Sequence, residues 1–168
     1  MEENAYDEQT FRREEIWNVH INNLLLANLY TIKKIYSFLT YKSKDKILTL
    51  DNAIAMIKGA KICLLEKDIA WAWSQCKQTI IDIVENRKNY YRASFVEFLE
   101  FLCRLGQQLI YTNNYVVVNE EVVFIDQLRH ILSQLFNFFA FGKLKEFNEE
   151  DDGEDQFEET SSDSDSDF

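Results

Sequence analysis

The chain has 168 residues, 46% hydrophobic and 14% aromatic, with 29 acidic against 18 basic residues and a net charge of -11. That length suits one domain with enough apolar mass for a core, and no uncharged run approaches the roughly 18 residues of a membrane span. Residues 149–168 hold 11 of the acids and no base, so residues 1–148 are formally neutral, which argues against a nucleic-acid footprint.

The start, Met1-Glu2-Glu3-Asn4, is acidic and lacks the basic opening of a signal or transit peptide. Proline is absent and only four glycines occur, so little interrupts helices. From about Thr10 to Leu39 the residues Trp17, Ile21, Leu24, Leu25, Ile32, Ile35, Tyr36 and Leu39 recur at helical steps, predicting one long amphipathic helix. A polar gap, Thr40 to Lys46, precedes the short run Ile47 to Leu50 and then a helix carrying Ala53, Ile54, Met56 and Ile57, with Gly59 as its expected C-terminal cap. A third helix is expected from Glu66 through Ile69, Trp73, Cys76, Ile80 and Val84, its first turn favoured by Glu66 and Asp68. After a second polar gap, Asn86 to Arg92, Ser94 and Glu97 match a capping box that opens a helix through Phe98, Leu99, Phe101 and Leu102, expected to stop at Gly106. Leu109 to Val118 is ambiguous, with a short β-prone run from Tyr115 to Val118. A last helix is expected from about Asn119 to Phe141, closed by Gly142, and the acidic residues 149–168 are expected to be a disordered tail.

Three cysteines (Cys63, Cys76, Cys103) lie among apolar neighbours without a CxxC pair and read as reduced core residues of an intracellular protein. His20 and His130 have no Cys or His at metal-ligand spacing. Cys76 sits mid-helix on an apolar stripe, and adjacent acids such as Glu14-Glu15 suit helix starts better than acid–base catalysis. The isolated glycines form no phosphate loop. No catalytic residue is assigned, and no enzyme is expected.

The two central units, about residues 30–58 and 66–106, match at a spacing of 45: Leu39 falls on Val84, Leu48 on Ala93, Leu50 on Phe95, Ala53 on Phe98 and Ile57 on Leu102. Each reads as helix, polar loop, short extended segment, helix. This order resembles the EF-hand family, the calmodulin superfamily, over under half the chain. The run Ser94 to Leu102 is similar to an EF-hand loop end entering its exiting helix. The segment Glu66–Asn86 followed by Phe95–Gly106 also looks like degenerate EF-hand-like segments of proteins from ciliated protists. The resemblance implies an all-α fold: two helix–loop–helix units paired through a short antiparallel contact at the loop ends, with additional N- and C-terminal helices. It also implies a cytoplasmic setting, in a cilium or the cytoskeleton.

The family's calcium chemistry fits these loops poorly. A calcium loop uses hard oxygen ligands at positions 1, 3, 5 and 12, with glycine at 6 and a bidentate Glu at 12. With Leu48 at position 8, Tyr41, Ser43 and Asp45 fall at 1, 3 and 5, Lys46 replaces the glycine and Asn52 replaces the Glu. In the second loop Asn86, Lys88 and Tyr90 fall at 1, 3 and 5, Tyr91 at 6 and Glu97 at 12. Each loop is one residue longer than the family's spacing, since Leu39 and Val84 lie nine residues before Leu48 and Ala93 rather than eight. Lys42, Lys44, Lys46, Arg87, Lys88 and Arg92 would repel a dication. Calcium is therefore not expected, and the remaining calcium candidates are Asp45, Asn86 and Glu97; no cofactor is assigned.

The aromatic residues point outward as well as inward. Trp71 and Trp73 are two apart, rotated by roughly 200° on a helix, so they cannot share one core. Phe136, Phe138, Phe139 and Phe141 likewise span more than one face, so the last helix either fills the groove of the helix pair or offers aromatic anchors to a protein partner. In the tail Thr160, Ser162 and Ser164 each precede an acid by three residues and are candidate phosphorylation sites for casein-kinase-2-like enzymes. The leading expectation is a non-catalytic interaction or scaffold module in a larger assembly, independent of calcium. The alternatives are a calcium-responsive sensor and an acidic-tail chaperone or tubulin- or axoneme-associated protein.

Overall fold

The computed structural model describes residues 8–77 and 87–147. The expectations for Asn86, for the stretch to Val84 and for the tail from residue 149, Thr160, Ser162 and Ser164 included, lie outside the described residues.

The protein is mostly helical: α1 (Glu8–Phe11), a π-helical turn (Arg12–Ile16), α2 (Val19–Ala27), α3 (Leu29–Thr40), β1 (Leu48–Thr49), α4 (Leu50–Gly59), α5 (Glu66–Cys76), α6 (Arg87–Tyr90), β2 (Arg92–Ala93), α7 (Phe95–Tyr111) and α8 (Phe124–Phe139). The two strands form one antiparallel pair with Leu48 opposite Ala93 and Thr49 opposite Arg92. Of the residues matched at the 45-residue spacing, Leu48 and Ala93 thus face each other across the pair. Among the described residues no helix is long and apolar enough to cross a membrane.

The core centres on α7, which packs against α5 on one side and α8 on another. Every residue from Phe101 to Leu109 is buried, so this helix is enclosed nearly all round. Ser94 and Glu97 form the expected capping box, Glu97 N–H donating to Ser94 Oγ at 3.3 Å and Ser94 N–H to Glu97 Oε1 at 3.2 Å. Phe98, Phe101, Leu102, Ile69, Trp73, Leu128, Ile131, Leu132 and Leu135 complete this layer.

Several boundaries depart from the periodicity, each for a local reason. The expected helix from Thr10 to Leu39 is broken twice by asparagines. Asn18 caps α2 by accepting the His20 N–H at 2.8 Å. Asn28 is buried, donates to the Leu24 and Lys145 carbonyls and accepts the Lys145 N–H, each at 2.8 Å. Short polar side chains that bond backbone groups compete with the helical ladder. Gly106 does not end α7: a Cβ there would lie 3.3 Å from the Phe124 ring and 3.5 Å from the Leu128 nitrogen, so the glycine admits α8 instead. Gly59 is the last residue of α4, and the left-handed residue beyond it is Lys61, with φ 56°. A Cβ on Gly59 would come within 2.6 Å of the Phe138 ring, which rests there. The last helix starts at Phe124 rather than Asn119, because Asn119 and Glu120 both take positive φ in a tight turn closed by Val118 and Glu121. Its left-handed cap is Ala140, two residues before Gly142. Cys76 and Cys103 are buried as expected, whereas Cys63 is exposed.

Candidate functional site

The two polar loops meet where β1 and β2 pair. Tyr36, one turn before the end of α3, clasps both: its hydroxyl lies 3.1 Å from the Lys46 carbonyl and 2.9 Å from the Ala93 carbonyl. Burial raises its pKa, so the phenol stays protonated and able to donate. Phe95 and Phe98 pack on the same ring with centroids 5.4 and 5.5 Å away. On the other side the Trp73 indole donates to the Tyr90 carbonyl at 2.7 Å. In the first loop Lys46 takes φ 53°, the left-handed conformation that glycine adopts cheaply, and its ammonium donates to the Tyr41 carbonyl at 2.8 Å.

The carboxylates at ligand positions are engaged by cations of the chain itself. Asp45 pairs with the Arg92 guanidinium. Glu97 pairs with Lys77, whose Nζ lies 2.9 Å from Glu97 Oε2 and also donates to the Arg92 carbonyl. The side chains of Lys77 and Glu97 are only 7% and 16% exposed. Burial alone would push the Glu97 carboxyl up. Hydrogen bonds from Lys77 and from the Ser94 backbone, with the Lys77 charge, outweigh that and hold it below its ordinary value. Among the described residues no three His, Cys, Asp or Glu side chains come together in a group that could hold a metal. The Lys77 ammonium thus sits between the Arg92 carbonyl and the Glu97 carboxylate.

Lys77 drew no attention in the sequence. Its one prior signal is the end of an apolar helix beside a charged loop, a place where a cation is favoured. Gln127 was equally silent: fully buried, it accepts the Val116 N–H and donates to the Val116 carbonyl, each at 2.8 Å, pinning the irregular segment after α7.

The aromatic candidates divide. Trp71 is 48% exposed and Trp73 fully buried against Phe101, the split that a 200° rotation requires. Phe136 is buried, Phe138 is exposed over Gly59, and Phe139 and Phe141 are half-buried. Trp73 and Phe136 are therefore core residues that no partner can reach, a correction to their place among the candidate anchors. Phe139 and Phe141 stack at 5.5 Å and meet Phe38 edge-on, while the Lys34 ammonium sits 4.4 Å from the Phe141 ring. The last helix thus packs within its own domain, its apolar stripe lying against α7 and its end against α4.

The remaining reactive groups are muted. Burial pushes the Cys76 thiol far up and the Cys103 thiol up to about 12, which leaves both as poor nucleophiles. Burial lowers the His130 pKa. No family model matches the chain, and neither does any curated protein or solved structure in the comparisons made.

Proposed function

We propose that this chain is a non-catalytic protein-interaction or scaffold module built on a degenerate EF-hand-like pair whose loops are held by the chain's own cations rather than by calcium. The observation that carries this reading is Lys77. Its ammonium bonds the Arg92 carbonyl and the Glu97 carboxylate, the two groups that the loop alignment puts at ligand positions 7 and 12. Lys46 supports it from the first loop, since it holds a left-handed conformation at the position where a calcium loop needs glycine. The antiparallel contact between Leu48 and Ala93, at the register the alignment implies, is a further support.

An ammonium already seated on the carboxylate removes the charge that would draw in a dication and lets the loop close without one. Such a frame does not switch with calcium and presents a constant surface, on which Trp71 and Phe138 are the exposed aromatic anchors. Calorimetric titration with calcium to millimolar concentrations, beside thermal melts, tests the reading. We expect no heat of binding and an unchanged melting temperature. A calcium-dependent rise in melting temperature that Glu97→Gln abolishes would establish a calcium sensor instead.

A further inference from the structure

The paired loops gather basic residues on one surface. Lys42, Lys44, Lys46, Arg87, Lys88 and Arg92 lie on them against three acids, Asp45, Asp51 and Glu97, of which Asp45 is already paired with Arg92 and Glu97 with Lys77. Lys42, Lys44, Lys46, Arg87 and Lys88 are exposed. Beside β1 and β2 this surface dips into a hollow of about 410 Å³ whose apolar wall is Leu50 and Tyr91 and whose charged rim is Lys88 and Arg92 with one acid, Asp51. Cations around a small apolar hollow suit an extended peptide that alternates acids with an aromatic side chain.

We infer that this surface binds an acidic peptide and that its occupant is residues 149–168 of the same chain, with Phe157 in the hollow and the flanking acids on the lysines. The segment Glu154-Asp155-Gln156-Phe157-Glu158-Glu159 has that composition: four carboxylates around one phenylalanine. Reach permits it. The chain runs back along α3 after α8, with Phe141 beside Phe38 and Lys145 bonded to Asn28, and the described part ends at Phe147. From Asn28 to the first loop is one helix of 12 residues, about 18 Å at 1.5 Å per residue. The ten residues from Phe147 to Phe157 span up to about 33 Å when extended.

The tether also decides between occupants. A net charge of -11 repels other polyanions from solution, whereas an attached segment stands at an effective concentration on the order of millimolar. The inference goes beyond the interaction-module reading and does not depend on the loops' ancestry.

A spin label at Ser161→Cys tests it in the full chain, with Cys63→Ser to leave no other exposed thiol. We expect amide signals of Lys42–Lys46 and Lys88–Arg92 to broaden at low salt and to recover at about 0.5 M salt, where the screening length falls below about 5 Å. Broadening should be lost when Glu154, Asp155, Glu158 and Glu159 are changed to their amides. It should weaken with Phe157→Ala. These tail variants leave the folded body intact, so the test does not rest on the loop variant Lys42→Glu/Lys44→Glu/Lys88→Glu, which should also lose the effect. Unbroadened loop signals at low salt would overturn the inference. So would broadening that the tail amide variant retains, broadening seen only between labelled and unlabelled molecules in a mixture, or equal binding of full chain and tail amide variant to anionic lipid vesicles.

Discussion

Replacing Glu97 by glutamine separates its two tasks. The amide can still accept the Ser94 N–H, as Gln does in a capping box, so the helix start is kept. What disappears is the counter-charge of Lys77, whose side chain is 7% exposed and whose other contacts are the Arg92 carbonyl and the Trp73 ring at 5.8 Å. A hydrogen bond to a charged group is worth about 1.5–3 kcal/mol, and leaving its partner buried forfeits most of that, so Glu97→Gln should cost about 2–3 kcal/mol at neutral pH. Lys77→Met should cost a similar amount by stranding the carboxylate. The double variant should recover much of the loss, because a neutral pair leaves no buried charge without its partner. Acidity gives a second readout. The Glu97 carboxyl titrates below its ordinary value of 4.5 in the folded protein, so unfolding takes up a proton. The pair's contribution is full above about that pH and fades as pH falls through the folded value, a fall that Glu97→Gln should lack at this site. Urea melts followed by the fluorescence of the buried Trp73, at neutral pH and near pH 3, measure both. Wild-type stability of Glu97→Gln at neutral pH, or additive losses in the double variant, would refute the built-in cation.

Two further substitutions probe the core. Phe98 is fully buried against Tyr36, so Phe98→Ala should cost about 3–5 kcal/mol in urea melts through the cavity it opens. The two helical glycines should differ: Gly106→Val, pressed against the Phe124 ring and the α8 backbone, should cost about 2–3 kcal/mol, whereas Gly59→Ala should cost under about 1 kcal/mol, because the exposed Phe138 ring can swing away. Thermal melts of the pair decide whether Gly106 is a packing glycine.

Local signals in this sequence were legible, and their failures share a cause. The capping box at Ser94 and the split of Trp71 from Trp73 depend on geometry within one turn of helix, and both stand in the fold. The match of Leu48 to Ala93 needed only the repeat spacing, and those residues pair. The long N-terminal helix failed because apolar periodicity runs on through Asn18 and Asn28, while their side chains bond backbone and end the helix there. Gly106 misled because a glycine that ends a helix and one that admits a neighbour look alike until α8 is in place. Lys77, Asn28 and Gln127 were invisible for a related reason. Each acts through a partner that only the tertiary fold brings near, at separations of 20, 117 and 11 residues respectively.

The proposed reading makes one demand that the fold can meet. A calcium-loaded pair gains folding energy from its metal and therefore loosens and changes its helix angles when the metal leaves. A frame that must keep one shape at every calcium level needs the positive charge and the groove filler built into its own sequence. Lys77 and Arg92 supply charge at the two loops, bonded to Glu97 and Asp45. The proposal assigns the filler to the last helix, whose Leu128, Ile131, Leu132, Leu135 and Phe136 are buried. Both devices act in the same direction: they raise the cost of opening without adding an external ligand. On the proposed reading a partner would select what remains outside, and among the candidate anchors that means Trp71 or Phe138 rather than the enclosed Trp73 or Phe136.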